Sequence, residues 1–338
     1  MPDTLSGCLA AALESRAELL GRLHAEDTDA YRLFHGTAEG QAGLTVDRYG
    51  DLLLVQSFHQ PLEPAQLAAL EAFYARALPG LVVVYNDRSR PNSRIANKLS
   101  PESLAAAEKP RQARESGVNY RIQGRHSGQD PWLFLDLRAA RRCVMREAAG
   151  KTLLNVFAYT CGVGVAAVKS GASFVMNVDF SLSSIAVGEE NARLNGLSSP
   201  MGFVRSDAFA ALRQLSGLGQ SQVVRGRRLP PFPRLEPRRF DLVFLDPPRY
   251  ARSPFGVVDL VHDYPAVFKP ALLCAAEGGA LLCCNNAAQA AREPWLEQLE
   301  RSARKAGRPI RGVEWIAPES DFPSPDGRPP LKMALLRV

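Results

Sequence analysis

The spacing of apolar residues changes character along the chain, and each change predicts a different element. From about Leu5 to His24 apolar positions recur at helical spacing among Ala, Glu and Arg, which predicts an amphipathic N-terminal helix over 1–24. Gly43 to Tyr49 and Leu52 to Gln56 read as two strands joined by a tight turn at Gly50-Asp51. A helix from about Pro64 to Arg76 and a strand from Leu81 to Tyr85 follow. Together these predict a small α+β domain over 25–125, a candidate for RNA binding, in which Asp47 and Arg48 read as a structural ion pair in preference to part of an RNA face. Within it, Asn92 to Arg125 is basic and poor in apolar residues, and reads as a linker ending in the short strand Val118–Ile122.

The segment Gln129-Asp130-Pro131-Trp132-Leu133-Phe134-Leu135-Asp136-Leu137-Arg138 then delivers Asp136 and Arg138 to one place, ahead of a helix from about Ala139 to Ala149. From Leu153 the pattern becomes strand, helix, strand, helix. Leu153–Ala158, Phe174–Val178, Phe203–Arg205, Phe240–Leu245 and Ala280–Cys284 read as strands, with helices between them. Ser181 suits the N-cap of the second helix and Gly196 its stop. Strands near Gly312–Ile316 and Leu331–Val338 complete a doubly wound α/β sheet over 126–338. Residues 216–239 break the alternation. They hold Arg225, Arg227, Arg228, Arg234, Arg238 and Arg239 among prolines and glycines, and read as an inserted loop, solvated or in contact with phosphate.

Composition narrows the setting. A chain of 338 residues, 46% of them hydrophobic, can fill two domains. Six cysteines show no metal-type spacing and two are adjacent, so a reduced, cytoplasmic protein without structural metal is expected. Neither a signal peptide nor a membrane-spanning run is evident. The net charge of +6 is compatible with a nucleic-acid partner.

Candidate chemistry lies at the ends of the predicted strands, where open α/β sheets bind ligands. Tyr159-Thr160-Cys161-Gly162-Val163-Gly164 after the first strand is a glycine turn leading into a helix N-terminus. Asp179 after the second strand is placed to accept hydrogen bonds from two ribose hydroxyls, and Asp207 after the third to read an adenine amino group. Asp246-Pro247-Pro248 ends the fourth strand with a stiff acidic turn, since proline fixes its own φ and restricts the residue before it. Acids in these places point to S-adenosyl-L-methionine. A nicotinamide dinucleotide usually takes a fuller Gly-x-Gly-x-x-Gly turn, and Ala167 stands at its third position.

Phe134-Leu135-Asp136-x-Arg138, Asn155-Val156-Phe157-Ala158-Tyr159-Thr160, Val178-Asp179-x-Ser181, Asn191-x-x-x-Asn195-Gly196-Leu197 and Asp246-Pro247-Pro248 resemble the bacterial large-subunit rRNA methyltransferases. Tyr31-Arg32-Leu33 and Val46-Asp47-Arg48-Tyr49 resemble the small middle domain of that family. The resemblance implies a Rossmann-like class I methyltransferase domain with a mostly parallel seven-stranded sheet, acting on large-subunit rRNA or its assembly intermediate. It implies cofactor contacts from Phe134, Asp136, Arg138, Phe157, Tyr159, Thr160, Gly162, Asp179, Ser181, Asp207 and Ala208. Cys161 departs from the family, whose members often have glycine there. The match starts at about Tyr31, so the N-terminal RNA-binding module typical of the 5-methylcytosine branch is expected to be absent. A homodimer is left open, and a non-catalytic RNA-binding protein that keeps the fold is the rival of another class.

Two branches of the family differ in chemistry. Cytosine carbon 5 is a poor nucleophile and needs covalent activation by a thiolate. Guanine nitrogen 7 carries a lone pair and needs alignment more than activation. Asn285-Asn286 stands where the cytosine branch has Ser-Cys, and resembles the 7-methylguanine branch; Pro329-Pro330-Leu331-Lys332 looks more like the cytosine branch. Cys283 and Cys284 read as packed strand residues in preference to the alternative, a one-residue bulge that presents Cys284. The expected catalytic set is Asp246, Pro247, Pro248, Tyr250 to stack on the base, and Asn286 to orient its edge.

Overall fold

Arg16 divides the predicted N-terminal helix into α1 (Leu5–Ser15) and α2 (Ala17–Ala25) in the computed structural model, which describes residues 4–90, 99–126, 130–197, 201–219, 223–224, 227–228, 232–253 and 256–338. The Arg16 guanidinium is buried, donates to the Ala12 carbonyl at 3.0 Å and pairs with Glu39. A charge held out of water needs such partners, and hydrophobic spacing cannot reveal them. The chain forms two units. One is Met1–Arg138 with Glu319–Arg328; the other is Ala139–Pro318 with Pro329–Val338. The boundary expected near 125 falls inside the first unit.

In the first unit β1 (Ala30–His35), β2 (Leu44–Tyr49) and β3 (Leu52–Ser57) are antiparallel, and β4 (Val82–Asp87) joins β3 in parallel after α3 (Pro64–Ala77). Gly50 makes the β2–β3 turn with φ 61°, and a Cβ there would lie 2.3 Å from the Gln112 carbonyl oxygen. Leu9, Leu33, Phe34, Val46, Leu53 and Tyr74 lie in its core. Asp47 is buried in an ion pair, but its partner is Arg32 at 2.7 Å; Arg48 instead donates to the Tyr31 hydroxyl at 2.7 Å.

The stretch read as a linker is structured beyond residue 98. It forms α4 (Pro101–Glu108) and the hairpin β5 (Arg111–Glu115) with β6 (Val118–Ile122). Alternate residues of both strands are buried, Arg111 and Glu115 included. Arg111 pairs with Asp51 at 3.1 Å, so polar side chains do here what apolar ones do elsewhere.

The second unit is the predicted doubly wound sheet. Its strands are β7 (Thr152–Val156), β8 (Phe174–Asp179), β9 (Met201–Arg205), β12 (Phe240–Leu245), β15 (Ala275–Asn285), β16 (Gly312–Ile316) and β17 (Lys332–Arg337). They run in the order β16-β17-β15-β12-β7-β8-β9, and only the pairings of β17 are antiparallel. Leu242, Val243, Phe244 and Leu245 are all buried, as expected of a parallel strand covered on both faces. The helices are α5 (Arg138–Glu147, counted here from Ala139), α6 (Gly162–Lys169), α7 (Leu182–Leu194), α8 (Ala208–Leu215), α9 (Pro265–Leu273) and α10 (Arg292–Lys305). The order of crossovers reverses between β7 and β12, which makes that boundary the switch point where such sheets bind ligands.

Strand β15 starts earlier than predicted. Its register with β12 steps from Phe240↔Ala275 to Leu242↔Ala280, so residues 276–279 form a bulge that hydropathy reads as a turn. A hairpin of β13 (Tyr250–Ser253) and β14 (Gly256–Asp259) was not foreseen. In the inserted loop β10 (Val223–Val224) pairs with β11 (Arg227–Arg228), while Arg225 lies outside the described residues. Arg234 pairs with Glu236 at 3.3 Å, and Arg238 lies over the Phe174 ring at 4.1 Å, which makes it part of the sheet's packing.

Candidate active site at the carboxyl edge of the sheet

The turn from β7 to α6 is strained. Phe157, Tyr159 and Cys161 have φ of 59°, 50° and 57°, in the left-handed region that costs a non-glycine residue about 1–3 kcal/mol. Several contacts hold it there. The Asp179 Oδ2 accepts the Tyr159 N–H at 2.8 Å, the Val178 carbonyl accepts the Ala158 N–H at 3.0 Å, and the Asn191 amide donates to the Thr160 carbonyl at 3.0 Å. Cys161 is fully buried, and a Cβ on Gly188 would come within 2.4 Å of its Sγ. The family departure at Cys161 is thus accommodated by the missing side chain at Gly188. Gly162 opens α6, whose N-terminal N–H groups face the edge. Gly164 has a packing reason: its Cβ would lie 2.2 Å from the buried Asn177 Oδ1.

Asp179 ends β8 and is 7% exposed. Its Oδ1 accepts the Ser181 N–H at 2.8 Å, while Ser181 caps α7 through its hydroxyl. Burial pushes the Asp179 carboxyl above its ordinary value, against the pull of the backbone donors. Asp207 follows β9, caps α8 by accepting from Phe209 and Ala210, and is raised by burial in the same way. Ser206 donates its N–H to the Asp179 carbonyl at 2.9 Å, which ties the two acidic turns together. Neither acid forms an ion pair among the described residues. Two half-desolvated carboxylates without a cation repel a pyrophosphate and suit hydroxyl, amine or sulfonium groups. The residues present therefore fit S-adenosylmethionine. Ala208, buried, can offer only its backbone.

Asp246-Pro247-Pro248 follows directly on β12. Leu245 is in register with Val156 of β7 and Cys283 of β15, so the acidic turn stands between those two strand ends. Pro247 is buried and Asp246 partly so. Tyr250 begins β13; its side chain lies outside the described residues. The two asparagines after Cys284 differ. Asn285 is fully buried, donating to the Leu260 carbonyl at 2.8 Å and accepting from the Ala287 N–H at 3.0 Å, whereas Asn286 is exposed. Cys283 and Cys284 are buried within β15, and burial pushes the Cys283 thiol well above its ordinary range. The Tyr264 hydroxyl donates to the Cys284 carbonyl at 2.9 Å.

Phe134, Asp136 and Arg138 belong to the first unit. Phe134 is 44% exposed, and Asp136 lies in a 3-10 turn, Leu135–Leu137. Arg138, expected among the cofactor contacts, is instead fully buried: it pairs with buried Asp321 and donates to the Ala30 carbonyl at 3.0 Å. Its guanidinium holds the first unit together. Sequence reasoning missed Phe180 and Leu182, which are 70% and 62% exposed on either side of Ser181. An apolar pair around a cap residue is the signal for them. It also missed what Asn191 and Gly188 do, although Asn191 stands in a quoted motif.

Among the described residues no helix is long and apolar enough to cross a membrane, no His, Cys, Asp or Glu group could hold a metal ion, and the cysteines are free.

The chain is similar to proteins of related build. A protein of Deinococcus radiodurans named ribosomal RNA large subunit methyltransferase is 31% identical over 89% of this chain and 70% of its own length. The ribosomal RNA large subunit methyltransferase I of Aeromonas salmonicida is 29% identical over 92% of this chain and 74% of its own. The crystal structure of a methyltransferase complexed with SAH superposes with a TM-score of 0.77 at 22% identity, over 98% of this chain and 80% of that one, and supports the fold. A family model for S-adenosylmethionine-dependent methyltransferases matches residues 31–337, and this chain belongs to that family.

Proposed function

We propose that this enzyme methylates a base of large-subunit rRNA, and that the acceptor is a guanine ring nitrogen, reached without a covalent protein adduct. The names of its relatives support the RNA. The choice of base rests on the end of β15, where the thiols are buried and Cys283 is held neutral, while the exposed group is the Asn286 amide. A neutral, enclosed thiol is a poor nucleophile. A ring-nitrogen lone pair needs a fixed pose, and an amide offers both a donor and an acceptor to a base edge.

S-adenosylmethionine supplies an electrophilic methyl on a sulfonium. The chain's own residues bind and orient. Asp179 accepts the ribose hydroxyls, Asp207 and the Ala208 backbone read the adenine, and Phe180 covers it. Tyr159, Thr160 and Gly162 present the strained turn. Asp246 holds the acceptor base, and Pro247 and Pro248 keep it stiff. An rRNA substrate places the enzyme in the cytoplasm.

The test is to map modified nucleotides in large-subunit rRNA from cells with and without the protein. Loss of a methylguanine is expected. The Pro329–Lys332 segment favours the second reading, 5-methylcytosine. A 5-fluorocytosine RNA that forms an adduct dependent on Cys284 overturns the guanine reading.

A further inference from the structure

Lys332 opens β17 opposite Asn285 of β15. It is 4% exposed, and its Nζ donates to the Ala287 carbonyl and, at 2.8 Å, to the Pro330 carbonyl. Asn285 holds the same corner from the other side, accepting the Ala287 N–H at 3.0 Å and donating to the Leu260 carbonyl at 2.8 Å. Ala287 is therefore held by both its N–H and its carbonyl. Asn286, exposed, lies between Asn285 and Ala287. An amide on an untied loop samples many poses; one whose neighbours are both anchored does not. Burying an ammonium is unfavourable, and an apolar residue would start a buried strand more stably. The ammonium is explained by the carbonyls it holds.

We propose that Lys332 is a positioning residue that clamps Ala287 and so fixes the exposed Asn286 amide against the acceptor base. This rests on the reading of Asn286 as the group that orients the base. The clamp has a pH signature. Burial lowers the ammonium to about 8, and Arg292 at the start of α10 pushes the same way. Its partners among the described residues are neutral: the Asn285 residue paired with it across the strands and the Ala287 and Pro330 carbonyls. The charged donor is complete below about pH 8 and is lost as pH rises through it. Transfer is expected to decline through that window.

The experiment compares wild type with Lys332→Met, and with Lys332→Gln as the milder change should the first not fold. Amide hydrogen exchange over 285–291 should quicken about tenfold while 152–179 stays unchanged. Single-turnover methyl transfer to rRNA should fall about thirtyfold, with S-adenosylmethionine affinity within about twofold. In an Asn286→Ala background the same change should add less than about threefold, because both act on one contact. The fall in rate near pH 8 should disappear in the variant. Unchanged exchange over 285–291, losses that multiply independently of Asn286, or a parallel loss of cofactor binding overturns the clamp. If exchange quickens as expected but wild type methylates no rRNA, the clamp stands and the rRNA reading falls.

Discussion

At the ends of β7 and β8 the sheet's edge carries strained backbone and a buried carboxylate; at the ends of β12 and β15 it carries prolines, amides and enclosed thiols. The first region fixes three left-handed residues by directing the carboxylate of Asp179 and the amide of Asn191 onto main-chain groups. That arrangement presents one rigid surface to a ligand that never varies. The second region has few ionised groups. It fixes direction through Pro247, Asn285 and Lys332, and leaves Asn286 and part of Asp246 open. On the proposed reading, the contrast separates two tasks: holding a charged cofactor, and orienting the base that accepts the methyl group.

The largest effect should come from Asp246→Ala. Single-turnover transfer should drop on the order of 100-fold or more while cofactor affinity measured by calorimetry changes little. A matching loss of cofactor affinity would merge the two regions into one.

Gly188→Ala attacks the strained turn without touching a ligand group. Its Cβ meets the Cys161 Sγ, so chemical denaturation should show about 1–3 kcal/mol of lost stability. The double change Gly188→Ala with Cys161→Gly should recover part of it, since the clash is removed.

Asp179→Ala should cost roughly 1–3 kcal/mol of S-adenosylmethionine affinity. The pH dependence sharpens this. Because folding raises the Asp179 carboxyl above its ordinary 3.8, its charged form is disfavoured in the free protein. Stability from this group is therefore greatest at low pH and declines as pH rises through the raised window. Ribose hydroxyls donate to the charged form, so cofactor affinity should weaken as pH falls into that window. Asp179→Ala should flatten both trends.

The smallest effect should be that of replacing Cys283 and Cys284 together with Ala. Transfer should stay within about tenfold of wild type, the loss reflecting repacking in β15. A loss of several orders of magnitude would show a covalent route and would turn the second region into a nucleophilic site.

Much of this edge was legible in the residues. Period and length marked the strands of the doubly wound sheet, and the acids just past their apolar stretches marked Asp179, Asp207 and Asp246, because a parallel strand covered on both faces is largely apolar and polar groups gather at its end. The glycine turn was legible as a place, but not its reason: Gly164 and Gly188 are small because Asn177 and Cys161 occupy the space opposite. That is a matter of distance between segments remote in sequence. The same holds for the polar groups. The resemblance implied Arg138 as a ligand contact, and only the fold shows its guanidinium paired with Asp321, far along the chain. Asn285 and Asn286 are chemically identical neighbours, and only the tertiary structure buries one against Leu260 and exposes the other, since successive residues at a strand end turn to different surroundings. Local pattern determines where elements start and stop; which polar group meets solvent and which meets a carbonyl is decided by long-range packing.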